Sequence, residues 1–196
     1  MKKYGTEALS LIHEVSKEQG KPVWLAFGTL LGAYRDHGFI KHDDDIDMAM
    51  YAKDFNHVFL RGLYEKGFKI IRQFSMINTN EPNHPILTEI TLIYKGLQID
   101  VFFVFQDATG NHSYLYGGMN SINNMWYVTP VDYTFCGMFK EILFEGSTSY
   151  VPTDTKDFLD YWYGDNFMIP DKNYTCRKDK SFSMDIIYGE MLGAWH

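Results

Sequence analysis

The chain has 196 residues, enough for one domain with a substantial core, and 45% are hydrophobic and 17% aromatic, which excludes an intrinsically disordered chain. A net charge of −7 without any basic run argues against a nucleic-acid surface, and two distant cysteines, Cys136 and Cys176, predict neither a disulfide framework nor a zinc motif. With no signal-like N-terminus and no run of about 18 apolar residues, we expect a cytoplasmic protein without a transmembrane segment.

Regular elements in the first third of the chain follow from the spacing of apolar residues and from the positions of glycine and proline. Gly28 and Thr29 interrupt the first apolar run and predict a tight turn there. In chain order we expect a helix at 6–19, a strand at 23–27, a short helix from residue 30, a strand at 45–50 and a helix at 53–67.

A hairpin dominates the middle of the chain, because two strand-like runs at 88–105 meet at a Lys95-Gly96 turn. The remaining elements are a polar connection at 106–124, a strand pair at 141–152, a helix capped by Thr153 that stops at Gly164, and a last helix at 181–192. This order predicts a single domain over residues 1–196 of the α/β (α+β) class, with a mixed sheet backed by helices.

Four aspartates are crowded into five positions of the segment DDDID, at 43, 44, 45 and 47, where a strand begins. Side chains alternate along a strand, so Asp45 and Asp47 share one face, which Asp43 joins if the strand extends backward. Like charges this close repel unless a cation or a proton lies between them. The carboxylates therefore predict a site for Mg²⁺ or Mn²⁺.

Asp100 interrupts the apolar strand LQIDVFFVF, where an unpaired buried carboxylate would be costly. If it faces the same cleft, it completes a metal site made of Asp43, Asp45, Asp47 and Asp100. The alternatives are a solvated acidic loop and an aspartate bonded at a strand edge. A calcium loop of the EF-hand type is disfavoured, because Met48 stands where that loop needs glycine.

The segment GTLLGAYRDHGFI, followed by DDDID, resembles the signature of the LicD family. The strand LQIDVFFV and the later segment VPTDTKDFLDYWYGDNFMIP extend the resemblance. It implies a nucleotidyltransferase-like fold and a transferase that moves a phosphoryl-alcohol group, with phosphocholine as the namesake case. The donor would be a CDP-activated alcohol such as CDP-choline, the acceptor a glycan or lipid-linked sugar, and CMP the product, in the modification of cell-surface polysaccharide.

The same resemblance implies roles for individual residues. Asp45, Asp47 and Asp100 would be catalytic and, with Asp43, would bind Mg²⁺ or Mn²⁺, while Asp100 could instead accept the proton of the acceptor. The donor phosphates would be bound by four residues: Gly28, Thr29, Arg35 and Lys41.

One departure from the family pattern lies beside the aspartates, where Lys41-His42 replaces Pro-Trp. Two other functions stay open: transfer of a nucleoside monophosphate from a nucleoside triphosphate, and a non-catalytic binding role. Choline recognition would need an aromatic cage. Candidates for it are Tyr114, Tyr116, Trp126, Tyr127, Tyr161, Trp162 and Tyr163.

Overall fold

The computed structural model describes residues 2–76, 85–110, 112–122, 125–133, 135–171, 174 and 187–189. The helices are α1 (Lys2–Gln19), α2 (Phe27–Leu31), α3 (His57–Glu65) and α4 (Thr155–Tyr163), with a π-helical turn at Gly32–Asp36 and a 3₁₀ turn at Ala52–Asp54. The strands are β1 (Val23–Leu25), β2 (Asp45–Tyr51), β3 (Lys69–Met76), β4 (Ile86–Tyr94), β5 (Leu97–Gln106), β6 (Ser113–Ile122), β7 (Met125–Asp132), β8 (Phe139–Phe144), β9 (Ser147–Pro152) and β10 (Ile187–Gly189).

The strands form a mixed sheet in the order β10-β7-β6-β5-β2-β1-β9-β8. A branch leaves β5, which also pairs with β4, and β4 in turn pairs with β3. The pairs β2–β5 and β1–β9 are parallel, and the other pairs are antiparallel. The predicted fold class, a mixed sheet backed by helices, is confirmed. Within the described part of the chain, no helix is long and apolar enough to span a membrane.

The hairpin predicted at 88–105 is confirmed as β4 and β5, and the strand pair at 141–152 as β8 and β9. The strand predicted at 23–27 is present as β1, but it ends at Leu25 because α2 begins at Phe27. The predicted helix at 53–67 begins only at His57. Its start is set by Asn56, whose side-chain oxygen accepts the amides of residues 58 and 59, at 3.0 Å each.

Three predictions in the second half of the chain were wrong. The polar connection at 106–124 contains β6, which gains its strand conformation by pairing with β7 despite its glycines and asparagine. Asp154, not Thr153, occupies the N-cap position of α4. In the segment predicted as a last helix, residues 187–189 form β10 against β7, and the rest of 181–192 lies outside the described residues.

The core beneath the sheet centres on Trp24 of β1, which is fully buried. Its indole Nε1 donates a hydrogen bond of 2.8 Å to the hydroxyl of Tyr133, a side chain that is only 1% exposed. The rings of Tyr51, Phe135 and Phe139 surround the indole, with centroids at 4.6–5.6 Å. This aromatic packing anchors β1, which leads directly into α2 and the candidate site.

Replacing Tyr133 by Phe should destabilise the fold by about 1–3 kcal/mol, because the buried indole N–H of Trp24 would lose its acceptor. Urea denaturation monitored by tryptophan fluorescence measures the change. Tyr64→Phe, at a tyrosine 49% exposed, is the matched control and should stay within about 0.5 kcal/mol of wild type. Equal stability of the two variants would contradict this account of the core.

Candidate active site

The register of four neighbouring strands places four polar side chains in one row across the sheet. Asp47 of β2 lies opposite Asp100 of β5, Asp100 opposite Thr91 of β4, and Thr91 opposite Arg72 of β3. Because side chains in register point to the same face, all four project from the same side of the sheet. Asp45 lies two residues before Asp47 on β2 and shares that face.

The carboxylates of Asp45, Asp47 and Asp100 converge, since one oxygen from each lies within 4.8 Å of the others. Asp100 is buried, and Asp45 and Asp47 are partly buried. The predicted grouping of these three side chains is therefore present in the structure. Three carboxylate oxygens at this spacing suit a hard divalent cation such as Mg²⁺ or Mn²⁺.

The first turn of α2, which stands where the sequence predicted a tight turn at Gly28 and Thr29, positions Asp47. The Gly28 amide donates to Asp47 Oδ2 at 3.0 Å, and the Asp47 amide donates to the Thr29 hydroxyl at 2.8 Å. Thr29 is only 3% exposed, and its hydroxyl supports β2 by accepting the Asp47 amide. Its contact with the donor phosphates stays a prediction. The Gly28 amide is likewise engaged by a carboxylate of the chain itself.

Gly28 also leaves the space in which two carboxylates meet. A Cβ atom at this position would lie 2.9 Å from Asp43 Oδ2 and 3.2 Å from Asp47 Oδ2. Asp43 is not part of the 4.8 Å group, yet this close approach places it beside Asp47. Of the four predicted metal ligands, three form the cluster, which we call the carboxylate cluster, and Asp43 borders it.

Burial and mutual repulsion raise the pKa values of Asp43, Asp45 and Asp47. For Asp47, burial and then the charge of Asp45 raise the pKa to about 7, although the Gly28 amide opposes the shift. The pKa of Asp45 is raised by burial and by Asp100, and that of Asp43 by burial and by Asp45. A site that resists carrying its full negative charge is one that a cation would stabilise.

Asp100 is held by side chains that the sequence analysis did not single out. Its Oδ1 accepts hydrogen bonds from the Thr91 hydroxyl at 2.6 Å and from Arg72 at 3.5 Å, and its Oδ2 accepts one from Gln98 at 3.1 Å. Arg72 also donates to Thr91 at 3.0 Å and lies 3.7 Å from the carboxylate of Glu89. These contacts fix the orientation of Asp100 toward its neighbours on β2.

A signal for these residues existed in the sequence. A two-residue turn at 95–96 pairs Thr91 with Asp100, and the alternation in TEIT puts Glu89 on the same face. Burial, and next the charge of Asp100, raise the pKa of Glu89 to about 7. The polar face therefore extends from β2 to β3.

A cavity of about 950 Å³ opens on the β2 side of the carboxylate cluster. This volume lies in the range of small-molecule and cofactor pockets. The cavity brings together most of the predicted site residues with aromatic side chains from the segment after α4. Its wall includes Gly28, Arg35, Lys41, His42, Asp43, Asp47, Tyr163, Phe167 and Tyr174.

Arg35 and Lys41 in the cavity wall differ in how far their charge is already neutralised by a carboxylate of the chain. Arg35 donates two hydrogen bonds to Asp36, at 2.7 and 2.8 Å, and one of 3.4 Å to the Phe167 carbonyl. The Asp36 carboxylate therefore raises the pKa of Arg35 and offsets its charge. Lys41 is exposed at the cavity wall, where its ammonium can meet an anion.

The candidate aromatic cage is dispersed. Tyr114 and Tyr116 pack against Phe105, and the side chains of residues 126 and 127 lie outside the described part. Tyr163 lies in the cavity wall with the Tyr174 ring 5.0 Å away.

The chain is similar to proteins whose sequences or structures are known. The curated mouse protein ribitol-5-phosphate transferase FKTN (Mus musculus) is 25% identical over 177 residues, which cover 88% of this chain and 35% of the mouse protein. An uncharacterized protein of Caenorhabditis elegans is 30% identical over 141 residues, which cover 68% of this chain and 35% of that protein. The chain thus spans about a third of the length of these relatives.

Among solved structures, the solution structure of the antibiotic-resistance factor ANT(2'')-Ia superposes with a TM-score of 0.50 over 89% of this chain and 78% of that chain. The sequence identity is 10%, so this likeness concerns the fold alone. The family model LicD/FKTN/FKRP, nucleotidyltransferase domain, matches residues 20–154, which include β2, β5 and the carboxylate cluster. The chain therefore belongs to the LicD/FKTN/FKRP nucleotidyltransferase-domain family.

Proposed function

We propose that this chain is a divalent-cation-dependent transferase that moves a phosphoryl-alcohol group from a CDP-activated donor to a hydroxyl of a glycan or lipid-linked sugar. The observation that carries the proposal is the carboxylate cluster, of which Asp47 lies in the wall of a cavity of about 950 Å³. Membership of the LicD/FKTN/FKRP family and the similarity to a ribitol-5-phosphate transferase support it. CMP would be the second product.

Asp45, Asp47 and Asp100 would hold the cation, with Asp43 as a further ligand. A bound Mg²⁺ or Mn²⁺ would neutralise charge on the phosphates during transfer. The Gly28 amide and the Asp100 hydrogen bonds keep the ligand oxygens in place before the cation arrives, which reduces the reorganisation needed for binding.

The remaining residues would bind the donor and assist transfer. Lys41 and Arg35 would contact the diphosphate in the cavity. In the transfer, the acceptor oxygen bonds to the distal phosphorus and the bond from that phosphorus to the bridging oxygen of CMP breaks. CMP leaves with the electron pair, and the hydroxyl proton passes to a carboxylate on the acceptor side of the cluster.

The candidate head groups of the donor are ribitol and choline. The activity of the mouse relative, a ribitol-5-phosphate transferase, favours phosphoribitol. Phosphocholine would require ring faces around a quaternary ammonium, and the Tyr163 and Tyr174 rings are the nearest candidates in the cavity. The rival reaction, transfer of a nucleoside monophosphate from a triphosphate, is favoured only by the description of the family domain as a nucleotidyltransferase.

Calorimetry with CDP-ribitol, CDP-choline, CTP and ATP should show binding of one CDP-alcohol, and this binding should require Mg²⁺ or Mn²⁺. Release of CMP from that donor identifies the reaction, whereas pyrophosphate released from a triphosphate would favour the rival. The double variant Asp45→Asn/Asp47→Asn should lower the rate at least 100-fold, since two ligands of the cluster are lost.

The matched control for that experiment is Asp44→Asn, which removes a charge from the same acidic run at an exposed position outside the cluster. Its rate should stay near that of wild type. An equal loss of activity in control and double variant would show that the run acts through its overall charge and would contradict the proposed ligand set.

Without divalent cations, stability should fall as the pH rises from about 4 to about 7, by on the order of 2 kcal/mol. The folded-state pKa of Asp47 is raised to about 7, so in this window the folded chain keeps a proton that the unfolded chain loses. Urea denaturation in EDTA at about pH 5 and pH 8 measures the fall. Asp47→Asn should flatten the profile, and saturating Mn²⁺ should restore stability at pH 8. A wild-type profile that rises over this range would refute the prediction.

Gly28→Ala should weaken Mn²⁺ binding at least about 10-fold, because its Cβ would push the oxygens of Asp43 and Asp47 aside. The fold should persist, since alanine is a better helix former than glycine at this position in α2. Calorimetry with Mn²⁺ and a thermal melt separate the two effects. Unchanged affinity would mean that the carboxylates near Gly28 do not bind the cation.

A further inference from the structure

Polar side chains of β3 and β4 border the carboxylate cluster on the side away from the cavity. The cavity wall contains Asp47 of β2, and among the described residues it includes none from β3, β4 or β5. Beyond Asp100 on β5, the same face of the sheet continues with Thr91 and Glu89 on β4 and with Arg72 on β3. The cluster thus has two flanks, a cavity on one and this polar strip on the other.

In a phosphoryl transfer, the two flanks would bind different substrates. The attacking and leaving oxygens lie roughly in line on opposite sides of the phosphorus. If the nucleotide part of the donor occupies the cavity, its leaving oxygen points toward the β2 flank. The attacking hydroxyl then reaches the phosphorus from the flank formed by β4 and β3.

We propose that Glu89 and Arg72 form the binding site for the acceptor hydroxyl, an inference that rests on the proposed function. The carboxylate of Glu89 would accept a hydrogen bond from the hydroxyl that attacks, and the guanidinium of Arg72 would donate to a neighbouring oxygen. The class of ligand is a polyol or sugar, whose adjacent hydroxyls match a carboxylate beside a guanidinium.

The structure holds these two side chains in place while leaving them accessible. The carboxylate of Glu89 lies 3.7 Å from Arg72, and the side chains are 20% and 42% exposed, respectively. Arg72 is fixed by its hydrogen bond to Thr91 and lies over the ring of Phe74, 4.7 Å from the centroid. Phe74 is opposite Glu89 in the register, so its side chain lies on the same face of the sheet.

Glu89 is also distinct from the ligands of the cation. Among the described residues, the group of carboxylates within 4.8 Å consists of Asp45, Asp47 and Asp100, without Glu89. Asp100 already accepts hydrogen bonds on both oxygens, which directs it toward the cluster. Loss of the Glu89 carboxylate should therefore change the use of the acceptor and not the binding of the cation.

The test uses the full chain, Mn²⁺ and the CDP-alcohol that wild type turns over, with water and glycerol as acceptor probes. Glu89→Met, which keeps length but removes the hydrogen-bond acceptor, should lower CMP release at least about 10-fold. Glu89→Gln, which keeps an acceptor oxygen, should recover part of the rate. The Kd values for donor and for Mn²⁺ should stay within about twofold of wild type in both variants.

Two further measurements test whether Glu89→Met lowers the rate only by disturbing the structure: the stability of this variant, and the activity of a variant at a distant carboxylate. Glu89→Met should not be less stable to urea in EDTA, because it removes a charge that repels Asp100. Glu141→Gln alters a partly exposed carboxylate on β8 that pairs with His13 and Lys17, and it should behave as wild type.

Normal CMP release by Glu89→Met would overturn the acceptor site alone, and so would a loss of donor or Mn²⁺ affinity that parallels the loss of rate. The first result would show that the acceptor does not need Glu89. The second would show that Glu89 contributes to binding of the donor or of the cation. Absence of CMP release by wild type from every CDP-alcohol would overturn the proposed function and this inference with it.

Discussion

Mutual repulsion among the carboxylates of Asp45, Asp47 and Asp100 is the constraint that organises this structure. One oxygen from each lies within 4.8 Å of the others, in surroundings that raise the pKa of Asp47 to about 7. Without a bound cation, this arrangement of carboxylates is unfavourable, and it persists only if other interactions of the fold hold the three side chains in place. The features around the cluster are consistent with that requirement.

Two kinds of support hold the cluster together. Parallel pairing of β2 with β5 sets Asp47 opposite Asp100, and the buried packing around Trp24 fixes β1 beside β2. The first turn of α2, which follows β1, then aims the Gly28 amide at Asp47. That turn begins with a local strain, since Phe27 has a φ of +39°, and the rings of Phe102 and Trp162 at 4.9 and 5.0 Å hold it there.

Local patterns were enough to predict the cluster, because strand alternation and one aspartate in an apolar run are visible in a single sequence. The order of elements predicted the mixed sheet, and the LicD-like motif added the nucleotidyltransferase-like fold. Thr29 shows the limit of that reasoning, since only the folded structure reveals that its hydroxyl is buried against the Asp47 amide. The strand β6 was missed because its pairing with β7 overrides a glycine-rich composition, and Arg72 was missed because β3 reaches the site only through the strand order.

The two flanks of the cluster connect the geometry to the proposed chemistry. The cavity with Lys41 and Arg35 lies on the β2 side, and the strip with Glu89 and Arg72 lies on the β4 side. A donor and an acceptor could therefore reach one phosphorus from opposite directions, as an in-line displacement requires. All of this depends on the carboxylate cluster binding a cation.

The most direct measurement is an anomalous-difference map from a crystal soaked in Mn²⁺, collected at a wavelength where manganese scatters anomalously. The account predicts a manganese peak in direct contact with carboxylate oxygens of Asp45, Asp47 and Asp100, and no such peak in a crystal of Asp47→Asn. A wild-type map with no manganese at these three side chains, or with equal occupancy in the variant, would contradict it.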